Sequence, residues 1–247
     1  MRYLVLSDIH ANWEAVEAVM ADTAGSYDQI LCCGDLVGYG ADPNRVVEWV
    51  RENCSAVVRG NHDKACTGQE DLEWFNPVAR DAALWTMKTL TPENAAYTRD
   101  LAKGPLTIGS SFQIVHGSPF DEDEYVLAPG EAENAFAYME TRVEFFGHTH
   151  VQGGFIWNHS RVEILPRMGP RSKNLRMEID PECGYMVNPG SIGQPRDSDS
   201  RAAFAIADLE HQTVEFWRVP YDIAAVQERM RAARLPEPLV QRLALGR

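Results

Sequence analysis

YLVLSDIH, from Tyr3 to His10, is the stretch on which the architecture turns. Its first four residues are apolar strand formers. An aspartate and a histidine follow, and then Asn12, a good N-cap for a helix that would bury Trp13, Val16, Val19 and Met20. The order is strand, loop, helix, and it recurs. Gln29 to Cys33 reads as a second strand, GDLVGYG as its loop, and Asp42 with Pro43 as the N-cap and first residue of a helix carrying Val46, Val47 and Val50. Ser55 to Val58 gives a third strand running into RGNHD. Such alternation predicts a largely parallel sheet, whose ligands collect in the loops beyond the carboxyl ends of its strands. SDIH, GDLVG and GNHD all fall there.

Further along, Ala79, Ala82, Ala83 and Met87 recur at helical spacing, and Pro77, Pro92 and Pro105 divide the stretch they occupy. Residues 64–111 therefore read as a helical insertion beside the site. Strand signals return at Phe112 to Val115 and Val143 to Phe146, with a helix from Glu131 to Glu140 between them. Beyond His150 come short extended runs, Val151 to Trp157, Val162 to Leu165, Tyr185 to Val187, Ala202 to Ala207 and Val214 to Val219, which predict a mostly antiparallel second sheet. A closing helix over 222–235, capped by Asp222, opens a C-terminal helical segment, 222–247. Two packed sheets with outer helices, in a single domain spanning 1–247, are expected.

The composition fits that size: 247 residues with 45% hydrophobic content can bury a substantial core undivided. A formal net charge of −13 argues against stable nucleic-acid binding or attachment to an anionic membrane, because both need basic surface. An anionic substrate must then be received by local positive charge. Cys32, Cys33, Cys54, Cys66 and Cys183 are odd in number and lack CxxC spacing, which argues against a disulfide framework. The apolar run Tyr3 to Leu6 is too short for a signal peptide, and no later run reaches membrane-spanning length. A cytoplasmic protein is expected, and the sequence allows a homodimer.

The chemistry gathers in five motifs: Asp8-Ile9-His10, Gly34-Asp35, Gly60-Asn61-His62-Asp63, His116-Gly117 and Gly147-His148-Thr149-His150. Each follows an expected strand, and of seven histidines only His159 and His211 fall outside them. Residues i and i+2 of extended chain project to the same side, so Asp8 and His10 could face one metal, and His148 and His150 a shared cluster. Glycines beside the ligands allow close backbone approach. Mixed carboxylate, imidazole and amide donors suit borderline divalent ions. Taken singly each motif has a plain alternative: a cap with a surface histidine, a turn, or a hydrogen-bonded strand end. It is their succession at strand ends in one chain that points to a metal site.

In this order the motifs resemble the signature of the calcineurin-like metallophosphoesterase superfamily, DxH, GD, GNH[DE], H and GHxH. GDLVGYGADPN and NPGSIGQPRD, at 188–197, look like segments of its small bacterial, phosphodiesterase-type members. The resemblance implies a four-layer αββα sandwich of two mixed sheets. It assigns Asp8, His10, Asp35 and His150 to one metal and Asp35, Asn61, His116 and His148 to the other, with Asp35 bridging. Two divalent transition-metal ions are implied, Mn²⁺ first, with Fe, Zn or Ni as alternatives. Attack by a metal-bridging hydroxide follows, with His62 protonating the leaving oxygen and Asn61 also touching substrate. In the protein phosphatase branch an aspartate three residues after the GD aspartate orients this histidine. Here that position is Gly38, so Asp63 or a backbone carbonyl must replace it.

At the rim, Arg196 is the first candidate to bind a substrate phosphate, since a guanidinium grips phosphate with two hydrogen bonds. The competing reading pairs it with Asp197 or Asp199. Arg59 reads as structural. Tyr39, Trp74, Phe75 and Tyr125 are aromatic candidates for stacking a nucleobase, against core packing as their commoner fate, and Asp121 to Glu124 reads as a solvated acidic turn. The expected function is hydrolysis of a phosphodiester or phosphoanhydride in a small phosphorylated substrate, with dinucleoside polyphosphates and other nucleotides as candidates. Phosphomonoesterase or protein Ser/Thr phosphatase activity is the alternative within the enzyme class. A non-catalytic scaffold of the same fold is the alternative outside it, against which stand seven competent ligand positions.

Overall fold

The computed structural model describes residues 1–247, the side chain of Trp74 excepted, so the stacking role considered for that residue lies outside the described residues. In chain order the strands are Tyr3–Leu6 (β1), Gln29–Cys32 (β2), Cys54–Val57 (β3), Leu106–Ile108 (β4), Phe112–Ile114 (β5), Val143–Phe145 (β6), Gly153–Trp157 (β7), Val162–Ile164 (β8), Asn174–Glu178 (β9), Gly184–Asn188 (β10), Ala202–Asp208 (β11) and Thr213–Val219 (β12). The helices are Trp13–Thr23 (α1), Pro43–Asn53 (α2), Asn61–Cys66 (α3), Pro77–Thr89 (α4), Pro92–Arg99 (α5), Pro129–Phe136 (α6), Ile223–Ala232 (α7) and Glu237–Leu243 (α8).

One sheet runs β3-β2-β1-β11-β12-β9 and the other β4-β5-β6-β10-β7-β8. The parallel β1, β2 and β3 are as the sequence predicts, but the strands beyond His150 do not form a sheet of their own. β11, β12 and β9 extend the first sheet antiparallel, with Val5 opposite Ala205, while β7, β8 and β10 join β4 to β6. Both sheets are therefore mixed. The division depends on pairing between the two ends of the chain, which no local pattern encodes.

Alternation along the strands sets the layers. From β1, Leu4 and Leu6 turn outward with Phe204 and Ile206 onto Val16 and Val19 of α1 and Val46, Val47 and Val50 of α2. Val5 turns inward with Leu31, Ala205 and Phe216 to meet Ile114, Phe145 and Val187 of the second sheet. On that sheet's outer face, Ala132 and Ala135 of α6 cover Phe146, Phe155 and Met186. The result is the four-layer αββα sandwich. At one end α7 and α8 pack Val226, Met230, Leu239 and Leu243 against Ala79 and Ala82 of α4 and the Tyr39 ring. Among the described residues no helix is long and apolar enough to cross a membrane.

The caps explain the helix starts. Asn12 accepts a hydrogen bond from the Ala15 N–H at 3.2 Å and Asp222 one from Ala225 at 3.0 Å. Asp42 stands at the N-cap of α2 without a capping bond, because its carboxylate pairs with Arg229 instead.

Candidate metal centre

β1, β2 and β6 each end before the motif that follows, and those motif residues are not extended. Asp8, His10, Asp35, His148 and His150 have φ of 53°, 48°, 54°, 63° and 59°. The left-handed region costs a non-glycine residue about 1–3 kcal/mol and persists where surrounding structure dictates it. Here interlocking loops do so. Asp8 N–H bonds to the Gly34 carbonyl at 3.0 Å, His10 N–H to that of Asp35 at 3.0 Å, and Gly193 N–H to that of Asp8 at 3.0 Å. The i, i+2 alternation of extended chain is thus not what aims these side chains; tight loop turns are. Gly60 is required for close approach, because a Cβ there would run into the Asp35 carboxylate.

Two groups of buried side chains result, Asp8, His10, Asp35 and His150 in one and Asp35, His116 and His148 in the other, the donor atoms of each lying within 4.8 Å of one another. Asp35 belongs to both. Its Oδ1 accepts the His62 N–H at 2.8 Å, and its Oδ2 lies 3.5 Å from His10 Nε2 and 3.5 Å from His116 Nε2. Asn61 presents its amide oxygen 3.4 Å from His116 Nε2. Each imidazole is held by one backbone carbonyl. His10 Nδ1 meets Val37 at 3.0 Å, His116 Nδ1 meets Cys33 at 2.7 Å, His150 Nδ1 meets Gln194 at 2.6 Å, and His148 Nε2 meets Asp123 at 3.0 Å. The other nitrogen of each ring is left for the centre, which is how metal-binding histidines are oriented.

The donor set fits two divalent cations on a further ground. Among the described residues both Asp8 oxygens and Asp35 Oδ2 are buried without a hydrogen-bonding partner, a state that is costly unless a cation satisfies them. Burial keeps His10 and His150 well below the ordinary imidazole range and lowers His148 to about 3, so these rings are neutral, as ligands must be. Burial opposes charge on His116 as well, but the neighbouring Asp35 carboxylate prevails and raises it to about 10. Burial likewise opposes the charge on Asp35, yet His116 and His62 hold it well below the usual carboxylate range. Asp8 is pushed up to about 7 by burial, with the Asp35 charge adding.

His62 stands beside the cluster on α3 without the partner the sequence led us to expect. Asp63 does not orient it: its carboxylate accepts the N–H groups of Gly60 at 2.9 Å, Leu36 at 2.9 Å and Val37 at 3.3 Å, tying the start of α3 to the GDLVG loop. No backbone carbonyl does so either, since His62 Nδ1 is buried without a partner among the described residues. A Cβ at Gly38 would lie 2.7 Å from that Nδ1, and the residue has φ of 85°, so an aspartate has no room there. The ring is instead wedged among Tyr39, His10 and Phe75, at centroid distances of 4.3, 5.0 and 5.5 Å. Burial drives its pKa down to about 4 against the pull of Asp35.

Arg196 is not paired with the neighbouring aspartates. Asp197 pairs with Arg218 and Asp199 with Arg201, while the Arg196 guanidinium turns to Gln194 Oε1 at 3.1 Å and the Tyr39 hydroxyl at 3.4 Å. Tyr125 stacks on His148, ring centroids 3.8 Å apart. The acidic turn is not simply solvated. Glu122 is buried and takes both arms of Arg59, at 3.0 and 2.9 Å, with Lys64 at 3.3 Å. Arg59 is thus structural, and the turn it anchors carries the Asp123 carbonyl that holds His148. Replacing Glu122 with Ala strands Arg59, while Lys64 keeps Asp123 and Glu70, and should cost about 2 kcal/mol, read as a lower urea midpoint of the metal-free chain. The carbonyls of Gln194 and Asp123 were missed in the sequence because main-chain acceptors leave no trace in residue type.

A family model described as the calcineurin-like phosphoesterase superfamily domain matches residues 1–212. An uncharacterized protein, MJ0912, of Methanocaldococcus jannaschii is 38% identical over 98% of this chain and 97% of its own length. The crystal structure of a metallophosphoesterase from Sphaerobacter thermophilus superposes with a TM-score of 0.86 at 40% identity, covering 100% of this chain and 99% of that one. A hypothetical protein, PH1004, from Pyrococcus horikoshii OT3 shares the fold at a TM-score of 0.78 and 21% identity, over 100% and 98% of the two chains.

Proposed function

Since the chain belongs to the calcineurin-like phosphoesterase superfamily, we propose that it is a cytoplasmic hydrolase of phosphodiester or phosphoanhydride bonds in a small substrate, working with two divalent metal ions. The observation that carries this reading is the pair of buried donor groups meeting at Asp35 Oδ2, with unpartnered carboxylate oxygens and carbonyl-anchored imidazoles. Bound divalent cations supply Lewis acidity toward phosphoryl oxygens and lower the pKa of water for attack on phosphorus.

The chain's own groups supply the rest. Asp8, His10, Asp35 and His150 would hold one cation, and Asp35, Asn61, His116 and His148 the other. Asn61 and Arg196 would bind phosphoryl oxygens. His62, neutral near pH 7, would donate a hydrogen bond to substrate rather than a proton. Mn²⁺ is the leading candidate by resemblance to the family, the donor set suiting borderline divalent ions in general, and the five free cysteines accord with a reducing compartment.

The deciding experiment strips the chain of metal and reconstitutes it separately with Mn²⁺, Fe²⁺, Zn²⁺, Ni²⁺ and Mg²⁺. Each form is assayed on p-nitrophenyl phosphate, bis(p-nitrophenyl) phosphate and dinucleoside polyphosphates. Two ions per chain and turnover of diester or anhydride are expected. Uptake should weaken below about pH 7, where a proton competes for Asp8. Turnover of monoesters alone would move the reading to a phosphomonoesterase. Stoichiometric metal without any turnover would favour a scaffold.

A further inference from the structure

Beside the metal centre, against the ring of Tyr39, two arginines meet. α8 carries the Arg242 guanidinium to 4.9 Å from the centroid of the Tyr39 ring, and Arg196 lies 5.8 Å from the same ring. Both donate to one acceptor, Gln194 Oε1. Among the described residues neither has a carboxylate within 4.0 Å, whereas Arg59, Arg201 and Arg218 all do. The Nε of each is buried and has no partner among the described residues. Burial first, and then the charge of Arg196, depresses Arg242 to about 10. In a chain of net charge −13, such a pair calls for a counter-anion.

Its position says which anion. The Tyr39 ring lies 4.7 Å from that of His10 and 4.3 Å from that of His62, and the Gln194 backbone holds His150. The charge of Arg196 reaches Asp8, His10 and His150, and that of Arg242 reaches His62. The pair is therefore adjacent to the centre without being part of its donor set. A phosphoryl group held by two divalent cations already has its charge matched there. A second phosphoryl group attached to it needs cations of its own, and two guanidinium forks suit it.

We propose that Arg196 and Arg242 form a seat for a second phosphoryl group of the substrate, which makes the chain selective for phosphoanhydrides over single-phosphate esters. The proposal rests on the phosphoesterase reading above. In the reaction it implies, the oxygen of water bonds to the phosphorus at the centre and the P–O bond of the anhydride breaks. The departing phosphate keeps the bridging oxygen and its electron pair, the arginines carry that charge, and a proton from the water passes to solvent. Arg196 lies within the family match and Arg242 beyond residue 212, where that match ends, so the second guanidinium of the seat comes from α8.

The test is a ratio of affinities. Methylenediphosphonate, which cannot be hydrolysed, and inorganic phosphate are titrated calorimetrically into the Mn²⁺-supplied chain and into Arg242→Met, chelation of free ion being common to both. The wild type should prefer the diphosphonate at least tenfold, and Arg242→Met should lower that preference roughly 10- to 100-fold, the range for losing charge-assisted hydrogen bonds. Arg242→Lys, which keeps the charge and loses the fork, should fall between, and it decides the matter if thermal melting shows Arg242→Met to be unfolded. Equal losses on both ligands, or no diphosphonate preference in the wild type, overturn the seat. A chain that hydrolyses nothing but discriminates through Arg242 loses the phosphoesterase reading and keeps the seat. Hydrolysis of esters without that discrimination does the reverse.

Discussion

Asp35→Asn should empty both metal positions at once and lower turnover by more than about 10³-fold, beyond the 10–100-fold typical when an outer partner of a metal ligand is lost. The substitution keeps the size of the side chain and removes the one charge facing His10 and His116 alike, each 3.5 Å from Oδ2. His148→Ala is the control, because His148 belongs to one group only and should leave the other able to load. Metal content by mass spectrometry checks the difference. In the metal-free chain the same substitution should bring His116 down from about 10: burial opposes its charge, and the Asp35 carboxylate is what overcomes that. Two metals per chain and ordinary turnover in Asp35→Asn would show that Asp35 does not bridge.

The donor types of that centre could be read from the sequence because metal chemistry restricts them to a few side chains, and Asp8, Asp35 and His148 each follow a strand of recognisable composition. How they are aimed could not. Extended alternation predicts that Asp8 and His10 share a face, but both sit at positive φ in loops held by Gly34, Asp35 and Gly193. Two strands also escaped notice. β4 is three residues between Pro105 and Gly109, and β9, reading NLRME with alternating exposure at a sheet edge, holds few strand formers. The allocation of late strands to two sheets, the partners of Glu122 some sixty positions earlier, and the return of Arg242 to Gln194 are long-range contacts. Such contacts are selected by packing, and residue order along the chain carries no mark of them.

His62→Ala should slow turnover by about 10²–10³-fold, the typical loss for a donor to a charged transition state, and it should do so equally for alkyl and p-nitrophenyl esters. Burial holds the ring near a pKa of about 4, and cations at the centre would push it in the same direction. At pH 7 about one ring in a thousand is then protonated, which is a poor supply of acid. A neutral imidazole still donates one N–H. Wedged by Tyr39, Phe75 and His10, the ring needs no aspartate at position 38 to keep its aim, and the φ and crowding at Gly38 leave none room. A departing phosphate on two arginines likewise needs no proton. Single-turnover rates across leaving groups separate the two roles, since release steps would mute the difference in kcat. If His62→Ala instead steepens the dependence of rate on leaving-group pKa, bound substrate must raise the pKa of His62 enough to make it an acid. A negatively charged phosphoryl oxygen against Nε2, the ring nitrogen turned away from the crowded Gly38, is the contact that would do it.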